Sequence, residues 1–273
     1  LINLAGTNKN IAQLIAQQAK DVKNVITGVS KVDGTILYPG EEFDLAKTVS
    51  PFTQENGYEL AGAYQNGTVV ESFGGGICQV ATTLYNAVIR AELEITMRFN
   101  HSMLVHYVEP SMDAAIAGNY KDLKFKNNLD APVYIEGYCS GGIIYFNVYG
   151  KETRPSNREI SFESETVSKT DPKVQFTMDA SLTAGSVSVT QSGQSGCIAQ
   201  LWKIVKVDGK QQSRDLFNKS NYQATPKLIT IGTKDATSET LSALKAAITI
   251  GDEAKVRSAA AGLKTNPCSP VFQ

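Results

Sequence analysis

The stretch FGGGICQVATTLYNAVIRAELE, Phe73 to Glu94, constrains the fold more than any other part of the chain. Three consecutive glycines allow positive φ and a close approach of backbone to a neighbour or ligand. The residues after them place Val80, Leu84, Ala87, Val88 and Ala91 at helical spacing. The chain therefore turns at residues 74–76 and enters a helix over residues 77–92. Cys78 falls in the first turn of that helix. At 100° per residue it sits well over 90° from the centre of the apolar stripe and shares a face with Tyr85.

Two readings of Cys78 follow. A structural thiol belongs in the apolar stripe, which Cys78 does not join. A nucleophile gains from the first turn, where free N–H groups and the helix dipole favour the thiolate and lower its pKa. The N–H groups of Gly75 and Gly76 would be placed to bind substrate or line an oxyanion site. The glycines do not form a phosphate cradle of the P-loop kind, because the lysine and Ser/Thr of that motif are missing.

A cysteine nucleophile needs a base. The chain has two histidines, His101 and His106. The segment RFNHSMLVHYVEPSMDAAI reads as a strand and loop, and in a strand residues 101 and 106 face opposite sides, so at most one meets the cysteine. Asp113 is the candidate to orient the imidazole. Arg98 is a candidate for a substrate carboxylate, and Tyr64 and Tyr85 for the walls of a groove. Packing or surface roles stand beside each of these readings. The four cysteines form no CxxC pair and no HExxH occurs, so no metal site and no cofactor is expected. Cys197 and Cys268 are the pair that an extracellular setting would join.

The 273 residues suggest two domains. A formal net charge of -1, without a basic run, points to no nucleic-acid partner. No apolar run approaches the roughly 18–20 residues of a membrane span. The chain opens at Leu1-Ile2-Asn3 with no signal peptide, so any membrane attachment would come from an anchor outside it. Residues 8–30 predict a helix built on Ile11, Leu14, Ile15, Ala19, Val22 and Ile26 and ending at Thr27-Gly28. Residues 95–149 read as strands, with a Gly-Gly hairpin in PVYIEGYCSGGIIYFNVYG. The pattern breaks at 151–158. Short alternating runs then predict an all-β module, and residues 237–263 one or two helices interrupted at Gly251-Asp252. The expected class is α+β: a mixed helix and antiparallel-sheet domain over 1–150, a small all-β module over 159–234, and a short helical C-terminus over 235–273.

The block GGGICQVATTLYNAVIRAELEI with RFNHS resembles the VanW family, named from vancomycin-resistance gene clusters. VDGTILYPGEEFDL, NGYELAGAYQNGTVVESFGGG, MDAAIAG and LKFKNNLDAPVYIEGY extend the resemblance over residues 7–150. The family's serine after Val80 is Ala81 here, and its glycine-arginine before Asp113 is Ser111-Met112. ISFESETV, SVSVTQSGQSG, KVDGK and ITIGTK resemble the five-glycine surface domain over residues 159–234. The resemblance implies an extracellular, cell-wall protein of the bacterial surface whose partners are peptidoglycan stem peptides and wall glycan. It implies an L,D-transpeptidase forming 3-3 cross-links, with Cys78 as nucleophile and His101 as base. His106 has no family counterpart. An L,D-carboxypeptidase acting on the same stems, or a wall-binding protein without catalysis, are the alternatives.

Overall fold

The computed structural model describes residues 2–3, 19–65, 68–118 and 120–265. These divide into two compact units, Leu1–Ser168 with Ile198–Tyr222, and Lys169–Cys197 with Gln223–Gln273.

In the first unit, helix α1 (Ala19–Val32) buries Val25, Val29 and Val32 at i, i+4 and i+7. It does not end at Thr27-Gly28. Gly28 lies inside it because a Cβ there would stand 2.7 Å from Ile77 Cδ1, so the glycine serves close packing against the cysteine-bearing helix. Ile26, counted on the apolar stripe from the sequence, is 46% exposed. The part of the expected helix over residues 8–18 lies outside the described residues.

Strands β1 (Ile2–Asn3), β2 (Thr35–Leu37), β8 (Val133–Ser140) and β9 (Ile143–Gly150) form a sheet in the order β1-β9-β8-β2. The predicted β8–β9 hairpin turns at Gly141 and Gly142, whose φ of 56° and 73° suit a two-residue type I′ loop. Strands β3 (Glu42–Asp44), β6 (Glu94–Met97) and β7 (Lys124–Lys126) pair in the order β3-β7-β6, with helix α2 (Leu45–Val49) following β3. Strands β4 (Leu60–Gln65) and β5 (Thr68–Phe73) make a hairpin that leads into Gly74 and helix α3 (Ile77–Arg90).

Helix α3 is buried almost throughout, from Ile77 to Ile89. Its walls include Val25, Val29, Phe125, Phe146, Ile144 and Leu123 in one continuous core. Residues 98–116, expected as strand and loop, contain no strand. Side chains there bond the backbone, an alternative to a ladder that Asp and Asn readily supply.

Strands β10 (Arg158–Thr170), β13 (Gly196–Val207) and β14 (Lys210–Tyr222) form a third sheet in the order β10-β13-β14. Residues 198–222 of it belong to the first compact unit, and Leu201, Phe162 and Phe217 join that unit's core.

In the second unit β15 (Lys227–Lys234) is central, parallel to β11 (Val174–Thr183) and antiparallel to β12 (Val187–Gln191). Helices α4 (Ser238–Ile250) and α5 (Glu253–Ala261) follow, capped by Thr237 and Asp252 and separated at Gly251, φ 78°. Leu244, Ala247, Val256 and Ala260 pack with Ile231 in a separate core. The Cys197–Cys268 pairing involves a residue outside those described. Among the described residues no helix is long and apolar enough to cross a membrane.

Candidate active site

The triple glycine performs three distinct backbone tasks. Gly74 adopts φ 82° against Phe52, and Gly76 caps α3 at φ 92°. Gly75 packs where a Cβ would lie 2.8 Å from both Ala61 Cβ and the Gly62 carbonyl oxygen. Its own carbonyl accepts a bond from buried Asn24 at 3.0 Å. The turn they build delivers Cys78 to the first turn of α3.

One face of α3 carries Cys78, Thr82 and Asn86, four residues apart. An extended segment runs antiparallel along that face and contacts it at every second residue. In its thiol form Cys78 Sγ donates to the Ile116 carbonyl at 3.5 Å. Thr82 Oγ1 donates to the Ala114 carbonyl and accepts from the Ala114 N–H, at 3.1 and 3.0 Å. Asn86 Nδ2 donates to the Met112 carbonyl at 2.7 Å. The match of a helical period of four to an extended period of two clamps residues 112–116 on the helix.

Asp113 lies between two clamped residues, fully buried. Its Oδ2 accepts from the His101 N–H and from His101 Nδ1, both at 2.7 Å. Its Oδ1 accepts from Arg98 Nη2 at 2.8 Å and from the Tyr222 hydroxyl at 2.5 Å. With Nδ1 engaged, the remaining ring nitrogen of His101 is the one left for its hydrogen bond to Cys78. Tyr107 stands edge-on to the imidazole, centroids 6.3 Å apart.

The electrostatics follow from this order. Burial alone would lower the His101 pKa, but the Asp113 and Cys78 contacts outweigh it and hold the imidazole at about 9. Burial would raise the Cys78 thiol, and the hydrogen bond and charge of His101 reverse it, leaving the thiol below its ordinary value. Burial likewise opposes ionisation of Asp113, and His101 and Arg98 overcome it. Cys139 and Cys197 show the opposite sign: burial pushes both thiols up. Of the three described cysteines, Cys78 is the one poised to ionise.

Other residues singled out in the sequence occupy different places. Arg98 is 7% exposed, and its guanidinium donates to the Asp113 carbonyl, to Asp113 Oδ1 and to Ser220 Oγ, each at 2.8 Å. It braces the aspartate rather than facing solvent for a substrate carboxylate. Tyr85 is 1% exposed, lies under Arg98 with the guanidinium 5.6 Å from its ring, and accepts from Asn218 Nδ2 at 2.6 Å. It is core, not the wall of an open groove. The Tyr64 side chain lies outside the described residues. His106 is exposed, and the bends at 102–108, not strand alternation, separate it from His101. Among the described residues no cluster of His, Cys, Asp and Glu is arranged to hold a metal ion.

Sequence reasoning missed Ser220, Asn218 and Tyr222. They come from β14, more than a hundred residues after Asp113, in a polar run (NKSNY) with no apolar alternation to mark an inward face. It also left Ser111 unexplained. Ser111 holds φ 67°, the left-handed region that favours glycine, which is the residue the resembling family carries there.

Fold and site together define a helix-and-antiparallel-sheet domain in which Cys78 of the central helix meets His101 and Asp113 of the segment packed along it, followed by an all-β region and two terminal helices. Residues 20–149 match the family described as VanW like protein, and residues 162–234 match the G5 domain; the chain carries a VanW-like domain followed by a G5 domain. It is 34% identical over 129 residues to the uncharacterized protein YoaR of Bacillus subtilis, covering 47% of this chain and 43% of that one. It is 26% identical over 134 residues to the Vancomycin B-type resistance protein VanW of Enterococcus faecalis, covering 47% of this chain and 48% of that one. The chain thus spans less than half the length of either relative. A solved IgA1 protease G5 domain is 26% identical, with 28% of this chain and 93% of that one covered at a TM-score of 0.20.

Proposed function

We propose that this chain is a cell-wall-associated peptidoglycan L,D-transpeptidase working through a Cys78 thioester. The observation that carries the reading is the Asp113–His101–Cys78 line, in which a buried carboxylate charges the imidazole and the imidazole lowers the thiol. The VanW-like and G5 matches support a cell-wall setting, outside the cytoplasm.

The chemistry follows from the ion pair. Cys78 Sγ attacks the carbonyl carbon of an L-centred residue in a donor stem, forming a C–S bond and a tetrahedral oxyanion. The Ile77 and Gln79 N–H groups already bond the Gly74 and Gly76 carbonyls, so the Cys78 N–H and the backbone at Gly75 and Gly76 are the groups proposed to receive that charge. The C–N bond breaks, the imidazolium at His101 gives its proton to the leaving D-alanine amine, and a thioester remains. An acceptor side-chain amine then attacks the thioester carbonyl while His101 takes its proton. The C–S bond breaks, the thiolate returns and a 3-3 amide link is made. Asp113 stays ionised and keeps Nδ1 protonated throughout, as the aspartate of a hydrolase triad does.

Thiol alkylation tests the reading. Iodoacetamide at neutral pH modifies Cys78 first, ahead of Cys139 and Cys197, as mass spectrometry of peptides reads out. Equal, slow labelling of these cysteines contradicts it.

A further inference from the structure

We infer that Tyr222, on the last strand of the sheet that follows the VanW-like domain, is a positioning residue of the Cys78 site, so that this strand is an integral part of the catalytic unit. The inference rests on the Cys78–His101–Asp113 reading above. It concerns residues that match the G5 domain by sequence but pack within the first compact unit.

The geometry is specific. The Tyr222 hydroxyl is 2.5 Å from Asp113 Oδ1 and accepts from the Ser111 N–H at 2.7 Å. With its one proton committed to the carboxylate, the hydroxyl links the strained residue at φ 67° to the aspartate two positions on. Two residues earlier on the same strand, Ser220 Oγ receives Arg98 Nη1. Next to it, the Asn221 carbonyl receives Asn100 Nδ2 at 3.0 Å, beside His101 in sequence. β14 therefore contacts the aspartate, its arginine and the segment carrying the histidine.

This arrangement decides which way the carboxylate faces. A carboxylate free to rotate can present either oxygen, or neither, to an imidazole. Here Oδ1 is held by Tyr222 and Arg98, and Oδ2 is thereby committed to His101. Of the titratable and charged groups around the site, Asp113 and Tyr107 face the Cys78–His101 pair, and Arg98, Tyr85 and Tyr222 face Asp113. Of these, Tyr222 is the neutral donor on the carboxylate itself. Burial and the neighbouring aspartate charge keep its own ionisation above the working range, so it remains a donor.

The test is Tyr222→Phe in the full chain, which keeps the ring and removes the donor. Two readouts are taken: kcat and KM for cross-link formation, and the pH dependence of Cys78 alkylation. The expected result is a roughly tenfold fall in kcat, the usual effect of losing one hydrogen bond to a charged group, with KM little changed. The alkylation limb of Cys78 moves to higher pH, because a loosened Asp113 stabilises the imidazolium less. A tyrosine with only a packing role lowers the unfolding temperature and leaves that limb in place, and this result overturns the inference. Ser220→Ala, milder in volume, shifts the limb in the same direction by less and serves if the phenylalanine variant folds poorly; an unmoved limb there overturns it too. Asp113→Asn is measured alongside. If it moves the limb and Tyr222→Phe does not, the triad stands and the role of β14 fails. If wild-type Cys78 shows no lowered limb, the underlying reading fails and this inference with it.

Discussion

Asp113 Oδ2 accepts two hydrogen bonds from one residue, His101, through its backbone N–H and its ring Nδ1, each at 2.7 Å. The backbone bond fixes where the residue sits, and the ring bond fixes the tautomer and presents the opposite nitrogen to Cys78. Asp113→Asn disrupts both roles. The amide cannot hold the imidazolium, and Arg98 is left buried without its anion. The expected cost is a fall in turnover of roughly 10²-fold or more together with about 3–5 kcal/mol of stability, the range for breaking a buried pair. Steady-state rates and urea unfolding measure the two effects separately.

The glycines that meet α3 differ in how hard their neighbours are. At Gly75 the added Cβ meets backbone, the Gly62 carbonyl oxygen at 2.8 Å, which cannot move without breaking the β4–β5 hairpin. At Gly28 it meets the end of a flexible side chain, Ile77 Cδ1. Gly75→Ala therefore destabilises by about 1–3 kcal/mol and slows alkylation of Cys78. For Gly28→Ala the crowding is offset by about 1 kcal/mol of helix propensity, and stability changes little. Equal losses at the two positions in a denaturant titration would contradict this account.

Glu92, just past the end of α3 at φ 59°, accepts from Arg158, Arg154 and Lys203. Burial opposes its charge, and the Arg158 and Lys203 bonds override it, lowering the carboxyl from 4.5 to about 2. Such a shift corresponds to about 3 kcal/mol. Because the folded value is depressed, that stability is fully present above pH 4.5 and is lost as pH falls through about 2. Glu92→Gln consequently costs most near neutrality, and the gap between variant and wild type narrows below pH 4.5. Urea midpoints at pH 7 and pH 3 read the difference.

How far the site was legible depends on the range of each interaction. Cys78 stood out because helix phase and glycine punctuation are local, and His101 and Asp113 because few residues of their type lie nearby. The clamp of Thr82 and Asn86 on residues 112–116 was present as a four-residue spacing on one helix face. Its partner segment is irregular and has no periodicity to match. Arg98 and Tyr85 read outward in the sequence because a polar side chain near a nucleophile suggests substrate. In fact both face inward, where Asp113 needs a cation and Arg98 an aromatic floor. Tyr222 could not be found locally, since nothing in a polar strand names a carboxylate 109 residues away. In the fold, the Gly-Gly hairpin and the helix break at Gly251 were readable because positive φ has a residue signature. The extension of α1 past Gly28 was not, because a glycine used for packing looks the same as one used to stop a helix.

The protonation state sets the pH window for turnover. Cys78 ionises below its ordinary value, and His101 keeps its proton to about 9. Acyl transfer needs both the thiolate and the imidazolium, so the rate rises with the first ionisation of the pair and falls near pH 9 with the second. His101→Ala removes both limbs and lowers the rate roughly 10²–10⁴-fold. His106→Ala leaves the profile in place. A profile unchanged by His101→Ala but abolished by His106→Ala contradicts the assignment of the base.

The most direct measurement is the mass analysis of purified muropeptides incubated with the full chain and with Cys78→Ser. The proposed mechanism predicts that wild-type protein converts tetrapeptide monomers into 3-3 cross-linked dimers, each with loss of one D-alanine, and that the serine variant yields none while keeping the fold. Trimmed monomers without dimers would point instead to an L,D-carboxypeptidase using the same thioester. Full activity in Cys78→Ser, or no change in any muropeptide with wild-type protein, would contradict the account and leave the cysteine after three glycines a structural thiol.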